Sequence, residues 1–282
     1  MKYATKEWYE RMQKTSLHFS LKTSKRALTF SEDYYRELYT IEEASFLKQQ
    51  EKFSQVKFED VYPEEFPVED YDVDPLNPGE LEKAKKQYME MREKARVNYE
   101  NRPPFDRDAE IKNFRLFQKN KIQRLTKDLP RSVLDKVADL RVLALDRCTK
   151  EVKREITAYC HSNERAGHLA TAAYAKAYKK TFKKGEPLFA EQFYFHDCSV
   201  VSCRTKGKDR VLSLDNSGGF TQINKIIFKN CQVLKQDRSL SKAWWLYDEV
   251  YKTDQGYEIH VLLENKGLID FIVSVTDVEY RQ

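Results

Sequence analysis

The chain has 282 residues, 40% hydrophobic and 13% aromatic, with only eight glycines and eight prolines. That composition excludes wholesale disorder and leaves room for two domains of ordinary size. A formal net charge of +5 from 50 basic and 45 acidic residues is too slight to argue for nucleic-acid binding, and the longest apolar run, AWWLY at 243–247, falls far short of the roughly 20 residues of a membrane span.

The first half reads as helices. Ser31 is a fitting N-cap for the stretch that follows, in which Tyr34, Leu38 and Ile41 share one face. Residues 59–80 then carry nine acidic residues and four prolines without a single Lys or Arg. Proline at that density forbids regular helix, so this is an acidic loop, with docking of a basic partner as its functional alternative. After Gly79 a helix resumes, with Leu81, Ala84, Tyr88, Met91 and Ala95 forming a narrow seam, until RPPF at 102–105 breaks it. A third helical stretch places Ile111, Phe114, Ile122 and Leu125 on its apolar side. Asp128 and Pro130 read as the cap and start of the next helix, whose apolar positions run from Val133 through Val137, Leu140, Ala144, Cys148, Val152 and Ile156 to Tyr159.

Near Lys184–Pro187 the period changes. From Phe193 onward β-branched and aromatic residues alternate with polar ones, and turn signals (TKGKD, DNSGGF, TDQG, ENKG) recur about every ten residues. The expected fold is therefore α+β: a helical domain over 1–190 and an antiparallel six-stranded meander over 191–282.

The most patterned stretch is residues 241–265. A two-residue turn at Gln255–Gly256 pairs Tyr251 with His260 and Glu249 with Leu262. One face then holds Trp244, Leu246, Val250, Ile259, Val261 and Leu263, and the other holds Trp245, Tyr247, Glu249, Tyr251, Glu258 and His260. Two carboxylates, an imidazole and phenols on one face are the parts of an acid–base or metal-assisted site, with Glu249, Glu258, His260 and Tyr251 as candidates. The same face is equally a binding surface, with Trp245, Tyr247 and Tyr251 as its interaction residues.

Other clusters carry less. The five cysteines (148, 160, 198, 203, 231) lack a framework or zinc-knuckle spacing, and a regular strand sends Cys198 and Cys203 to opposite faces. They read as free thiols of a cytoplasmic protein, a location that fits the absence of an apolar signal core in the first residues. His161, Glu164 and His168 line one helix face, but two turns separate the histidines by about 10 Å, too far for one ion. Tyr174, Tyr178 and Phe182 among five lysines form either an anionic-partner stripe or a packing helix. There is no phosphate-binding glycine loop and no nucleophile elbow. Neither a cofactor nor a metal is assigned.

The segments MKYATKEWYERMQ, LPRSVLDKVADLRVLALD and the series HDC…LDNSGGF…WWLYDEVY…GYEIHVLL resemble the uncharacterised bacterial proteins grouped as domain of unknown function 4085. The resemblance covers most of the chain and brings no catalytic residues with it. The C-terminal series is also similar to small β modules of bacterial families, some found beside toxin–immunity loci, which implies an interaction role. The leading expectation is a non-enzymatic cytoplasmic protein that binds a protein partner, with homodimerisation as one way of covering the sheet. A hydrolase using the Glu249 cluster and a toxin-immunity-like binding protein are the alternatives.

Overall fold

A computed structural model describes residues 1–70 and 78–282. The chain divides into two compact units: residues 20–154, and residues 1–19 together with 155–282. The change from helix to strand does fall near residue 190, between the short 3-10 helix Leu188–Gln192 and the strand beginning at Ser199. The unit division lies elsewhere because residues 1–19 and the helical residues 155–190 both belong to the sheet-bearing unit.

In residues 20–154, Ser31 accepts the Tyr34 N–H (3.2 Å) and starts the helix Glu32–Gln55, as its sequence predicts. Tyr34, Leu38 and Leu47 are buried, whereas Ile41 is exposed. Phe114 of the helix Arg107–Asp128 packs between Tyr39 and Phe46. Of the loop expected over 59–80, residues 59–61 belong to the one-turn helix Phe58–Val61 and Val68–Asp70 form a 3-10 turn, while 71–77 lie outside the described residues. In the helix Pro78–Glu100 the seam continues from Ala84 and Tyr88 to buried Arg92, leaving Met91 exposed.

The long helix expected from Val133 to Tyr159 is broken into pieces. Asp128 ends the preceding helix instead of capping a new one, and the chain then forms Arg131–Leu134 and Leu140–Ala144, the latter capped by Asp139. Asp146 takes the left-handed region (φ 60°) before a two-residue strand, Arg147–Cys148 (β2), which pairs in parallel with Lys22–Thr23 (β1). Only then does the long helix Lys150–Thr181 begin. Val133, Ala144, Cys148, Val152 and Ile156 of the expected series are buried all the same, so the burial pattern is met by short pieces that no continuous helix joins.

The second unit holds eight antiparallel strands rather than six: Ser199–Lys206 (β3), Asp209–Asp215 (β4), Lys225–Lys229 (β5), Gln232–Gln236 (β6), Trp244–Thr253 (β7), Gly256–Glu264 (β8), Leu268–Val275 (β9) and Asp277–Arg281 (β10). Their order is β10-β5-β4-β3-β7-β8-β9-β6. Only Asn230 and Cys231 separate β5 from β6, and Thr276 alone separates β9 from β10. The pairing of β10 with β5 runs on in the same register into that of β9 with β6. The two extra strands are thus halves of two long bent strands, and the sheet closes on itself as a barrel. Two three-stranded meanders, β3–β5 and β7–β9, replace the single expected meander; β3 meets β7 at Ser199↔Trp244.

The sheet's apolar face is the barrel interior, filled by Leu212, Phe228, Trp245, Val261 and Phe271, all fully buried. Phe189 and Phe195 join this core, and Phe182 reaches it from the end of the long helix. Among the described residues no helix is long and apolar enough to cross a membrane.

Candidate functional site

The β7–β8 hairpin turns one residue earlier than the sequence suggests. Its loop is Asp254–Gln255, closed by Thr253↔Gly256, because Gly256 takes φ 140° where a Cβ would overlap the Val275 carbonyl. Glu249 therefore faces His260, and Tyr251 faces Glu258. The shift is by an even number of residues, so these four side chains keep the common face assigned to them.

Trp245 does not stay with them. A bulge between Trp245 and Tyr247 shifts the register by one residue and turns the indole into the barrel, where it is 0% exposed. Its Nε1–H donates to Asp248 Oδ2 (3.0 Å). Trp244, expected in the core, is half exposed instead. Trp245 is thus a core residue and no longer a contact candidate.

The outer face is covered from within the same unit. Glu249 is 1% exposed, and its carboxylate accepts the backbone N–H groups of Lys2 (2.8 Å), Tyr3 (3.0 Å) and Ala4 (2.6 Å). The Tyr251 hydroxyl donates to the same carboxylate, and the Lys2 ammonium lies 3.9 Å from the Tyr251 ring centre. Tyr174 stands between Tyr3 and Tyr251 and accepts the Val250 N–H (2.8 Å). Trp8 packs edge-on against Tyr247 and donates to the Gly167 carbonyl (3.3 Å). Gly167 lies within the continuous helix; a methyl group there would overlap Met12 Sδ.

His260 is 5% exposed, with Nε2 2.5 Å from Glu258 Oε1 and a buried Nδ1 that has no partner. Burial lowers its pKa, and the Glu258 carboxylate only partly opposes that, so the ring is held neutral. Burial, then the hydrogen bond to Glu249, raises the Tyr251 phenol far above its ordinary range. The four candidates do converge, but Glu249 is saturated by four donors and holds the N-terminal segment in place. A carboxylate so engaged is a clamp, poorly placed to move protons.

The other sequence clusters resolve as follows. A bulge between Val200 and Ser202 brings Cys203 to the same side of the sheet as Cys198, where a regular strand would have parted them; Cys198 is buried in the core and Cys203 is half-buried against it. Among the described residues no group of three His, Cys, Asp or Glu side chains is placed to hold a metal ion. His168 lies 3.8 Å from Glu164 in the open, and His161 packs edge-on to His18. Tyr178 and Phe182 pack on the barrel core, as a packing helix requires.

Two features escaped the sequence. Asp248, on the interior side of β7, has its carboxyl pushed up to about 7, chiefly by burial, with the Trp245 indole opposing. A pair of adjoining grooves, of about 650 and 570 Å³, runs beside β10 and shares Gln192 and Tyr280. Around them Phe220 is 85%, Leu188 77% and Tyr194 66% exposed. DNSGGF signals only a turn in sequence; that its Phe220 is left in solvent is visible only once the turn is placed.

The model of the family described as protein of unknown function (DUF4085) matches residues 104–272, and the chain belongs to that family. No curated protein and no solved structure matches the chain.

Proposed function

We propose that this protein works by binding another protein, without catalysing a reaction, and that its docking surface is the groove beside β10. The observation that carries this reading is the trio Leu188, Tyr194 and Phe220, each about two-thirds exposed or more, around two adjoining cavities. Large apolar side chains gathered at a concavity favour a partner surface, because covering them releases water from apolar area. The Glu249 face suits binding less well, since residues 2–4 already cover it. A toxin-immunity-like role and a cytoplasmic location are compatible with this reading. The hydrolase alternative rests on the Glu258–His260 pair and the orphan His260 Nδ1, but neither groove is lined by these residues.

Affinity capture with three versions of the full chain tests the proposal: wild type, a Leu188→Ser/Phe220→Asp double variant, and Leu169→Asp as an exposed control on the long helix. One protein recovered in stoichiometric amount by wild type and the control, and lost from the groove variant, is the expected result. A partner that the groove variant retains, or no stoichiometric partner at all, defeats the reading.

A further inference from the structure

The groove also has a shape and a charge that select among partners. β10 is the half of a long bent strand that pairs with β5 on one side and has no strand on its other side among the described residues. Asp277, Val278 and Tyr280 wall one cavity, and Tyr280 and Arg281 the other, with the segment 185–194 contributing to both. An unpaired strand beside an apolar slot is a template for an added strand, in which main-chain hydrogen bonds give affinity and the slot selects alternate side chains. The Val278 N–H, in register with Phe228 of β5, donates to Asp277 Oδ1 of its own strand (2.8 Å).

Charge narrows the occupant. Along β10, Val278 is buried and Tyr280 half-buried, while Asp277, Glu279 and Arg281 point outward. The two-fold antiparallel pairing of two copies that sets Asp277 against Arg281 also sets Glu279 against Glu279, which disfavours a second copy. Around the groove Glu186 is held by Lys252 (2.8 Å) and Glu279 by Lys229 (3.4 Å), whereas Asp277 and Glu191 have no basic partner among the described residues. Among the described residues Arg281 is the one basic residue lining the two cavities.

Building on the docking reading above, we infer that the partner presents an extended segment in which basic and apolar side chains alternate, and that this segment adds to β10 as a further strand. Its apolar side chains meet Leu188, Tyr194 and Phe220, and its basic ones meet Asp277 and Glu191.

The probe is a fluorescein-labelled, end-capped peptide of about eight alternating Lys and Val residues. A Glu/Val peptide and an N-methylated Lys/Val peptide, which cannot pair as a strand, are the comparisons. Anisotropy should show the Lys/Val peptide binding at least ~10-fold more tightly than either, with slowed amide exchange across 277–281. An Asp277→Lys/Glu191→Lys variant should reverse the preference toward Glu/Val. Equal binding of the N-methylated peptide, an unchanged preference in the charge-swapped protein, unprotected β10 amides, or no binding at all overturns the inference. If these fail while affinity capture still depends on the groove, the added strand is wrong and the docking surface stands. If capture does not depend on the groove, the docking reading itself has failed.

Discussion

Asp248 offers the sharpest test of how this barrel is held together. Its carboxyl lies on the interior side of β7 with the Trp245 indole N–H as donor, near His196, Glu249, Tyr174 and Tyr280. Burial raises it from 3.8 to about 7. The folded protein therefore keeps its proton up to about pH 7, while the unfolded chain ionises above its ordinary value. A group whose folded pKa is raised contributes stability that is complete below the unfolded pKa and is lost as pH rises toward the folded one. About three pH units at 1.36 kcal/mol each give about 4 kcal/mol lost between pH 4 and 7, an upper bound because Asp248 retains some surface. Asp248→Asn keeps an acceptor for the indole and removes the titration. All three tryptophans (8, 244 and 245) lie in the barrel unit, so tryptophan fluorescence in urea reports on that unit. The variant should gain stability over wild type from pH 5 to about pH 7 and level off by pH 8. A difference between the two proteins that is the same at pH 5 and pH 8, within about 0.5 kcal/mol, would refute the reasoning.

Three further outcomes follow from the same geometry. Glu249→Ala leaves three backbone N–H groups and a phenol without their acceptor; it should destabilise the barrel unit by about 3–5 kcal/mol and speed amide exchange at residues 2–4, and exchange unchanged there would deny the clamp. His260, whose pKa is depressed from 6.5 by burial, contributes stability that is present above 6.5 and lost as pH falls below it; urea titrations of His260→Gln should show a shallower loss between pH 7 and 5 than wild type. Cys148, Cys160 and Cys198 are buried while Cys203 and Cys231 are partly exposed; timed alkylation of the native protein with mass mapping should label only the latter pair early, and early labelling of Cys198 would contradict the closed interior.

Sequence reasoning succeeded where the cause is local. Ser31 caps a helix because its own side chain reaches the Tyr34 N–H three residues on, and the polar face of Glu249, Tyr251, Glu258 and His260 survives a misplaced turn because strand parity survives. It failed where the cause is distant or non-repeating. The bulge beside Trp245 has no local signature, yet it moves that ring from one side of the sheet to the other. The apolar series from Val133 to Tyr159 looks continuous because burial, which the pattern records, does not require one unbroken helix. The cover over Glu249 comes from residues 245 or more positions away, and neither of the two segments announces the other. Nor does strand spacing reveal that Asn230 and Thr276 each divide a long strand.

The clamp on Glu249 also sets a timetable for synthesis. Ala4 must wait for a residue 245 positions later, which at 5–20 residues per second is a delay of about 12–50 s. In the later part of that interval residues 20–154 are already available to fold as a unit, while the 19 residues before them still have no sheet to join. An aromatic-rich leader bearing Tyr3, Trp8 and Tyr9 thus spends most of translation exposed.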